Sequence, residues 1–336
     1  MLRQSYQHFI VQILDNASGE DTERVAREFV RMDPRVRYYR HSENIGSLNN
    51  ILYGIEHVTT EYFTILCDDD LLMPSFFEKG LQIHERDATR LAFASTRVVV
   101  VDELGRFSAP WSHPLEGHRL LPPEGVVPCL KAGASLPGVV YSTSAIRVVG
   151  GPRPEWWNWT ESGWHALAAL DFPVEFSSDV GAVVFVHADS ASKQMSSMEF
   201  RISWFKMLAE LRAMAMRGSV SRSWWTKQVL PTAYERFLGA LVRLSSRDGS
   251  RMYETLGRLS VASGLNAHTV SGAIAMARMA QMLGLGRVVN GTLDWLLRLH
   301  RAHAGASSGR SQRYQEPGLD TASRVFADLN RQSGLG

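Results

Sequence analysis

Residues 62–74, YFTILCDDDLLMP, constrain this chain more than any other stretch. Residues 62–67 are apolar and β-branched and read as a short buried strand. Cys67 inside it reads as a small core hydrophobe. Three carboxylates follow without a break, Asp68, Asp69 and Asp70. Pro74 then suits the first turn of a helix over 74–86. Adjacent carboxylates repel one another, and burying them unpaired is costly. A divalent cation removes that cost, and carboxylate oxygens suit Mg²⁺ or Mn²⁺ bridging to a phosphate. The plainer reading is an acidic cap at the positive end of the helix. The strand in front and the helix behind favour a site, because open α/β sheets bind ligands at the carboxyl ends of strands. On this reading Asp70 is the cap, and Asp68 and Asp69 remain for the ion and its ligand.

The surrounding pattern alternates. Residues 9–14 and 36–40 read as strands, and 22–32 and 47–58 as helices, the first of them stopped by Asp33-Pro34. Short connections in a βαβαβ order predict a mostly parallel sheet. Further strands are expected at 91–101, 136–141, 174–176 and 182–187, with a short helix at 144–149. A long Pro-, Gly- and His-rich stretch runs to Pro123 and reads as a rim loop. From residue 199 the pattern turns helical, at 200–216, 224–244, 252–259, 270–283 and 288–299. Residues 304–317 are poor in apolar side chains and read as disordered, with a short helix at 321–329. The expected division is a sheet domain over 1–195, an all-helical C-terminal region over 196–303 and a flexible tail over 304–336.

Composition excludes several classes. A formal net charge of +2 argues against nucleic acid as a partner. Two cysteines make no disulfide framework and fit a reducing compartment. Residues 1–8 are polar, unlike a signal peptide, and no apolar run is long enough to span a bilayer. The expected location is cytoplasmic. Arg201, Arg212, Arg217, Arg222, Arg243 and Arg287 recur through the helical region. They read as a solvated bundle face, with peripheral contact to the inner face of a membrane as the alternative.

Three segments carry a resemblance: HFIVQILDNASGEDT, HSENIGSLNNILYGI and EYFTILCDDDLLMP. In this order they resemble the nucleotide-binding half of the family 2 glycosyltransferases, which have the GT-A fold. The resemblance covers roughly two thirds of the chain, up to where the alternating pattern stops. It implies a GT-A-like, mostly parallel, Rossmann-like α/β sheet flanked by helices, with a nucleotide half over about 1–101 and an acceptor half over about 102–195. It implies that Asp15, ending its strand, contacts the nucleotide base. Asn44, Gly46 and Asn50 match the family's Asn-x-Gly-x-x-x-Asn segment. Asp68 then faces the ribose and the metal, and Asp69 holds the metal on the diphosphate. Cys67 occupies the first position of the commoner D-x-D-D form, so the chain departs from that form. The family normally has a strand and a helix before LRQSYQHF, and that strand lies mid-sheet. An open strand edge is therefore expected here.

The same resemblance assigns two later residues. Glu161 matches the acidic residue that acts as catalytic base, its other reading being first-turn helix charge. His187, with Ser190 and Ser192, matches a histidine after the last strand that ligates metal or faces the diphosphate. Trp156, Trp157, Trp159 and Trp164 crowd the loop before Glu161. They read equally as a platform for sugar rings and as core. The implied activity is an inverting, Mn²⁺- or Mg²⁺-dependent transfer from a nucleoside diphosphate sugar, with UDP or dTDP favoured. The acceptor is a hydroxyl on a carbohydrate or lipid-linked molecule, in bacterial surface polysaccharide or glycoconjugate synthesis. Two alternatives stay open: a degenerate, non-catalytic GT-A-like binding or scaffold protein, and a sugar nucleotidyltransferase. The second predicts a Gly-rich phosphate loop near the N-terminus, and the sequence contains none.

Overall fold

The computed structural model describes residues 1–86, 88–108, 117–131, 134–187, 198–243 and 249–282. The expected helices at 288–299 and 321–329, the 304–336 tail, Arg287, Ser190 and Ser192 lie outside the described residues.

The first unit is α/β. Strand β1 (Val11–Asp15) leads through helix α1 (Glu20–Met32) to β2 (Val36–Arg40), and the strands pair in parallel from Val11–Val36 to Asp15–Arg40. Acidic Glu20, Asp21 and Glu23 sit in the first turn of α1, where the helix dipole favours them. Helix α2 (Ser47–Glu56) follows, and its entry needs Gly46 at φ 85°. Next come β3 (Tyr62–Phe63), β4 (Leu71–Leu72), α3 (Phe76–Glu85), β5 (Phe93–Asp102), β6 (Phe107–Ser108) and β7 (His118–Leu120). Helix α4 (Val126–Lys131), β8 (Val139–Ser142), α5 (Thr143–Val149), α6 (Thr160–Asp171) and β9 (Val174–Val186) complete the order.

The larger sheet runs β3-β8-β5-β9-β4, with β6 on β5 and β7 on β9. Its centre is β5, whose FASTRVVVVD sequence is buried along most of its length, as a strand covered on both faces must be. Only the β5–β9 pair is parallel; β3–β8, β5–β8, β4–β9, β5–β6 and β7–β9 are antiparallel. The sheet is thus mixed rather than mostly parallel. Alternation upstream of residue 63 cannot reveal strands that return antiparallel later in the chain.

Two strand expectations change. The strand expected over 62–67 stops at Phe63. The β1–β2 pair forms its own two-stranded sheet, so among the described residues β3 pairs with β8 alone and no second strand carries the ladder on to Cys67. Residues 174–186 form one strand, not two. Its irregularity against β5 falls between Ser95 and Val98, where Gly181 passes so close to Thr96 and Phe76 that a Cβ would collide with both.

The core packs Leu72, Phe76, Val98, Val140 and Ala182 around β5. Behind it the buried Tyr141 hydroxyl meets His165 Nε2 at 2.7 Å, and Trp164 stacks on Tyr141 at 4.8 Å. Buried Glu175 is satisfied by Arg86 and Arg119, each at 2.9 Å. That pairing is what a desolvated carboxylate requires.

The second unit groups Glu155–Gly163 with Ala188–Glu316. Its described helices are α7 (Met198–Arg217), α8 (Arg222–Gln228), α9 (Leu230–Arg243), α10 (Gly249–Ala262) and α11 (Ala267–Met282). The single helix expected over 224–244 breaks at Val229 because Pro231 cannot donate to the preceding turn. Trp156 and Trp159 are buried here, Trp156 donating to Glu210 and Trp159 to the Phe200 carbonyl at 2.7 Å. Trp164 is buried in the first unit and donates to the Gly150 carbonyl. These three tryptophans are core, not a sugar platform, because each indole is enclosed with its N–H satisfied. Among the described residues no helix is long and apolar enough to cross a membrane.

Candidate cation and nucleotide site

The acidic turn is built by its neighbours. The Asp70 amide donates to the Cys67 carbonyl at 3.3 Å, closing a tight turn. Asp70 is buried, and its Oδ1 accepts from the Phe185 amide of β9 at 3.2 Å. The Cys67 thiol also donates to this carboxylate. Burial lifts the Asp70 carboxyl to about 6; the Phe185 amide opposes this, the Asp69 and Asp68 charges add to it, and the Cys67 thiol opposes it again. Asp70 is therefore not the cap of α3. Ser75 holds the N-cap position without a side-chain bond, and the Phe77 amide donates to Gln4 Oε1 at 3.1 Å. Gln4 also donates to the Met73 carbonyl at 2.7 Å, and the Ser5 amide to the Pro74 carbonyl at 2.7 Å. Residues at the start of the chain thus clamp the turn from outside it.

Four donors converge there. Ligand atoms of Cys67, Asp69 and Asp70 lie within 4.8 Å of one another. His187 Nε2, just past the end of β9, lies 3.3 Å from Asp69 Oδ2. Phe185 stacks on the His187 ring. Sulfur, oxygen and imidazole nitrogen suit a divalent cation, so the residues present fit one. Asp68 is exposed on the same turn and is not one of these donors. Cys67 is exposed rather than buried, because the strand stops before it.

The other expected residues build the loops beside β1. Asp15 is buried, its Oδ1 accepting from the Ser18 amide at 2.7 Å and its Oδ2 from the Tyr38 hydroxyl at 2.5 Å, with Arg40 at 3.6 Å. Its carboxylate faces its own loop rather than solvent. Asn44 Oδ1 accepts from Asn16 Nδ2 and from the Gly46 amide, both at 2.9 Å. Asn50 donates to the Leu14 carbonyl at 2.9 Å and meets His41 Nε2 at 3.1 Å. The two asparagines tie the 44–46 loop and α2 to the end of β1. Glu161 is half-buried in the first turn of α6.

Asp15 gives a pH prediction. Burial pushes its carboxyl up, but the Tyr38 hydroxyl, the Ser18 loop and Arg40 more than offset this and hold it below the usual carboxylate range. A depressed carboxyl stabilises the fold above its unfolded pKa, and that stability is lost as pH falls through the folded pKa. Tyr38→Phe is expected to cost about 1–2 kcal/mol at neutral pH. Urea unfolding at stepped pH should show the difference from wild type shrinking below the carboxylate range, and a pH-independent difference would refute this role for the pair.

Sequence reasoning missed Cys67 and Asp70 as candidate donors, Gln4 as a support of their turn and Tyr38 as a support of Asp15. An earlier strand end would have put the thiol in the turn with the triplet. Nothing in the sequence signals Gln4, whose partners lie some seventy positions away.

Together these features define an α/β domain with a candidate cation-binding turn on its sheet and asparagine-tied loops after its first strands. Residues 1–130 match the family model described as glycosyl transferase family 2. A Haemophilus influenzae protein named "Uncharacterized glycosyltransferase" is 22% identical over 103 residues, 31% of this chain and 32% of that protein. A Rickettsia felis protein of the same name is 26% identical over 137 residues, 40% of this chain and 20% of that one. The chain thus matches a third or less of these curated relatives. S. aureus TarS 1–349, solved with UDP, aligns over 94% of this chain and 88% of its own at TM-score 0.58 and 11% identity. The same TarS fragment, solved with UDP-GlcNAc, aligns at TM-score 0.58 and 10% identity. The likeness to TarS establishes the shared GT-A fold.

Proposed function

We propose that this protein transfers a glycosyl group from a nucleoside diphosphate sugar to an acceptor hydroxyl on a carbohydrate or lipid-linked molecule. The observation that carries the reading is the convergence of Asp69, Asp70, Cys67 and His187 in a family 2 domain. Asp69 and His187 would hold Mn²⁺ or Mg²⁺, which when bound offsets charge on the departing diphosphate. Asp68 takes the ribose side of the turn. Asp15, Asn44, Gly46 and Asn50 shape the loops against which the nucleotide lies. Glu161 accepts the proton of the acceptor hydroxyl as it attacks the anomeric carbon, and the single displacement inverts that centre. Uridine is the first base to test, since TarS is solved with UDP and UDP-GlcNAc.

Calorimetric titration with UDP, dTDP and GDP, with and without Mn²⁺, tests the reading. UDP binding that requires the metal is expected. Failure to bind any of the three, with metal present, overturns it. The separate β1–β2 sheet favours a second reading, a module that binds donor without turning it over. Metal-dependent UDP binding with no release of UDP from any UDP-sugar, acceptors included, would select that reading.

A further inference from the structure

Resting on the cation-site reading above, we propose that Cys67 is an inner ligand of the metal. The turn is then a mixed thiolate, imidazole and carboxylate site that prefers a borderline-soft divalent ion of the zinc class over Mg²⁺. Three observations converge. Cys67 lies in the same donor set as Asp69 and Asp70, with ligand atoms within 4.8 Å. Its thiol is exposed to solvent and points into the set, where it donates to Asp70. His187, from a segment more than a hundred residues away, brings a nitrogen to 3.3 Å from Asp69.

The spacing suits one ion. Two ligands on a tetrahedral ion at about 2.0–2.3 Å sit roughly 3.5 Å apart. Rotation of exposed Cys67 and Asp69 about χ1 closes the remaining gap. Hard ions take oxygen donors, whereas thiolate and imidazole select zinc and cobalt, which also outrank manganese in general affinity. On binding, the Cys67 sulfur gives its proton to bulk water and forms the sulfur–metal bond. No electron is transferred. Cys129, the other cysteine, is buried, and burial pushes its thiol up, so it does not compete.

Cobalt titration of the protein is the test. The expected result is a near-ultraviolet sulfur-to-cobalt charge-transfer absorption that is absent in Cys67→Ser. Zinc affinity in that variant should fall by about 10-fold or more, since even outer partners of a site contribute that much. Zn²⁺, but not Mg²⁺, should also slow alkylation of Cys67 in the wild-type chain, a readout that needs no variant. Cobalt bound without that absorption, or alkylation unchanged by Zn²⁺, overturns the proposal. If the wild-type protein then still binds UDP only with Mn²⁺, the donor-site reading stands and the thiolate ligand alone falls. If neither Co²⁺ nor Mn²⁺ binds, both fall.

Discussion

Asp69→Ala is expected to abolish metal-dependent donor binding and to lower kcat/KM by roughly 10²-fold or more, the several kcal/mol that a catalytic cation supplies. The size follows from the placement of the carboxylate. Asp69 is about a third exposed, and His187 Nε2 lies 3.3 Å from its carboxylate. Partly exposed pairs of that kind contribute about 0–1 kcal/mol to folding. Its loss should therefore empty the cation site while leaving the thermal midpoint nearly unchanged. Asp70 is the contrast. It is buried and accepts from the Phe185 amide and the Cys67 thiol. Asp70→Ala takes the acceptor from the part-buried Phe185 amide, at a stability cost of about 1–3 kcal/mol. Calorimetry with UDP and Mn²⁺, run beside thermal unfolding, separates the two. A variant with Asp69 removed that keeps full metal-dependent UDP binding would sink the donor-site reading.

The legible and illegible parts of this molecule divide on physical grounds. The β1–α1–β2–α2 segment was readable to within two residues at each end because local signals mark it: the apolar run at 9–14, helical spacing to Met32, the Asp33-Pro34 stop, and the loop ending at Gly46 before α2. The acidic turn was readable as a place but not as a ligand set. Whether Cys67 is core or donor depends on where β3 ends, and that depends on which strand lies beside it, a tertiary fact. The same reason hid Asp70, whose partner amide belongs to Phe185, and Gln4, whose partners belong to the start of α3. The tryptophans were ambiguous because an indole is as good a core filler as a sugar platform, and only enclosure decides.

Glu161→Gln is expected to lower kcat by about 10²–10⁴-fold, the range for losing a general base, without raising the KM for the donor. Glutamine keeps the shape of a half-buried side chain in the first turn of α6 but cannot take the acceptor proton. The rival role, a charge at the positive end of the helix, contributes about 0.3–1 kcal/mol and acts on stability, not turnover. The two roles therefore predict different readouts. A base gives a collapsed kcat, unchanged UDP affinity, and loss of the acidic limb of the pH–rate profile. A helix charge gives a small drop in thermal midpoint and a normal kcat. Glu161→Asp sharpens the comparison, since it keeps the charge for the helix but withdraws the carboxylate by one methylene from the acceptor. Strong slowing in both variants, with the fold intact, assigns the proton to Glu161. Full turnover by the glutamine variant removes that assignment and leaves the cation site, tested through Asp69, unaffected.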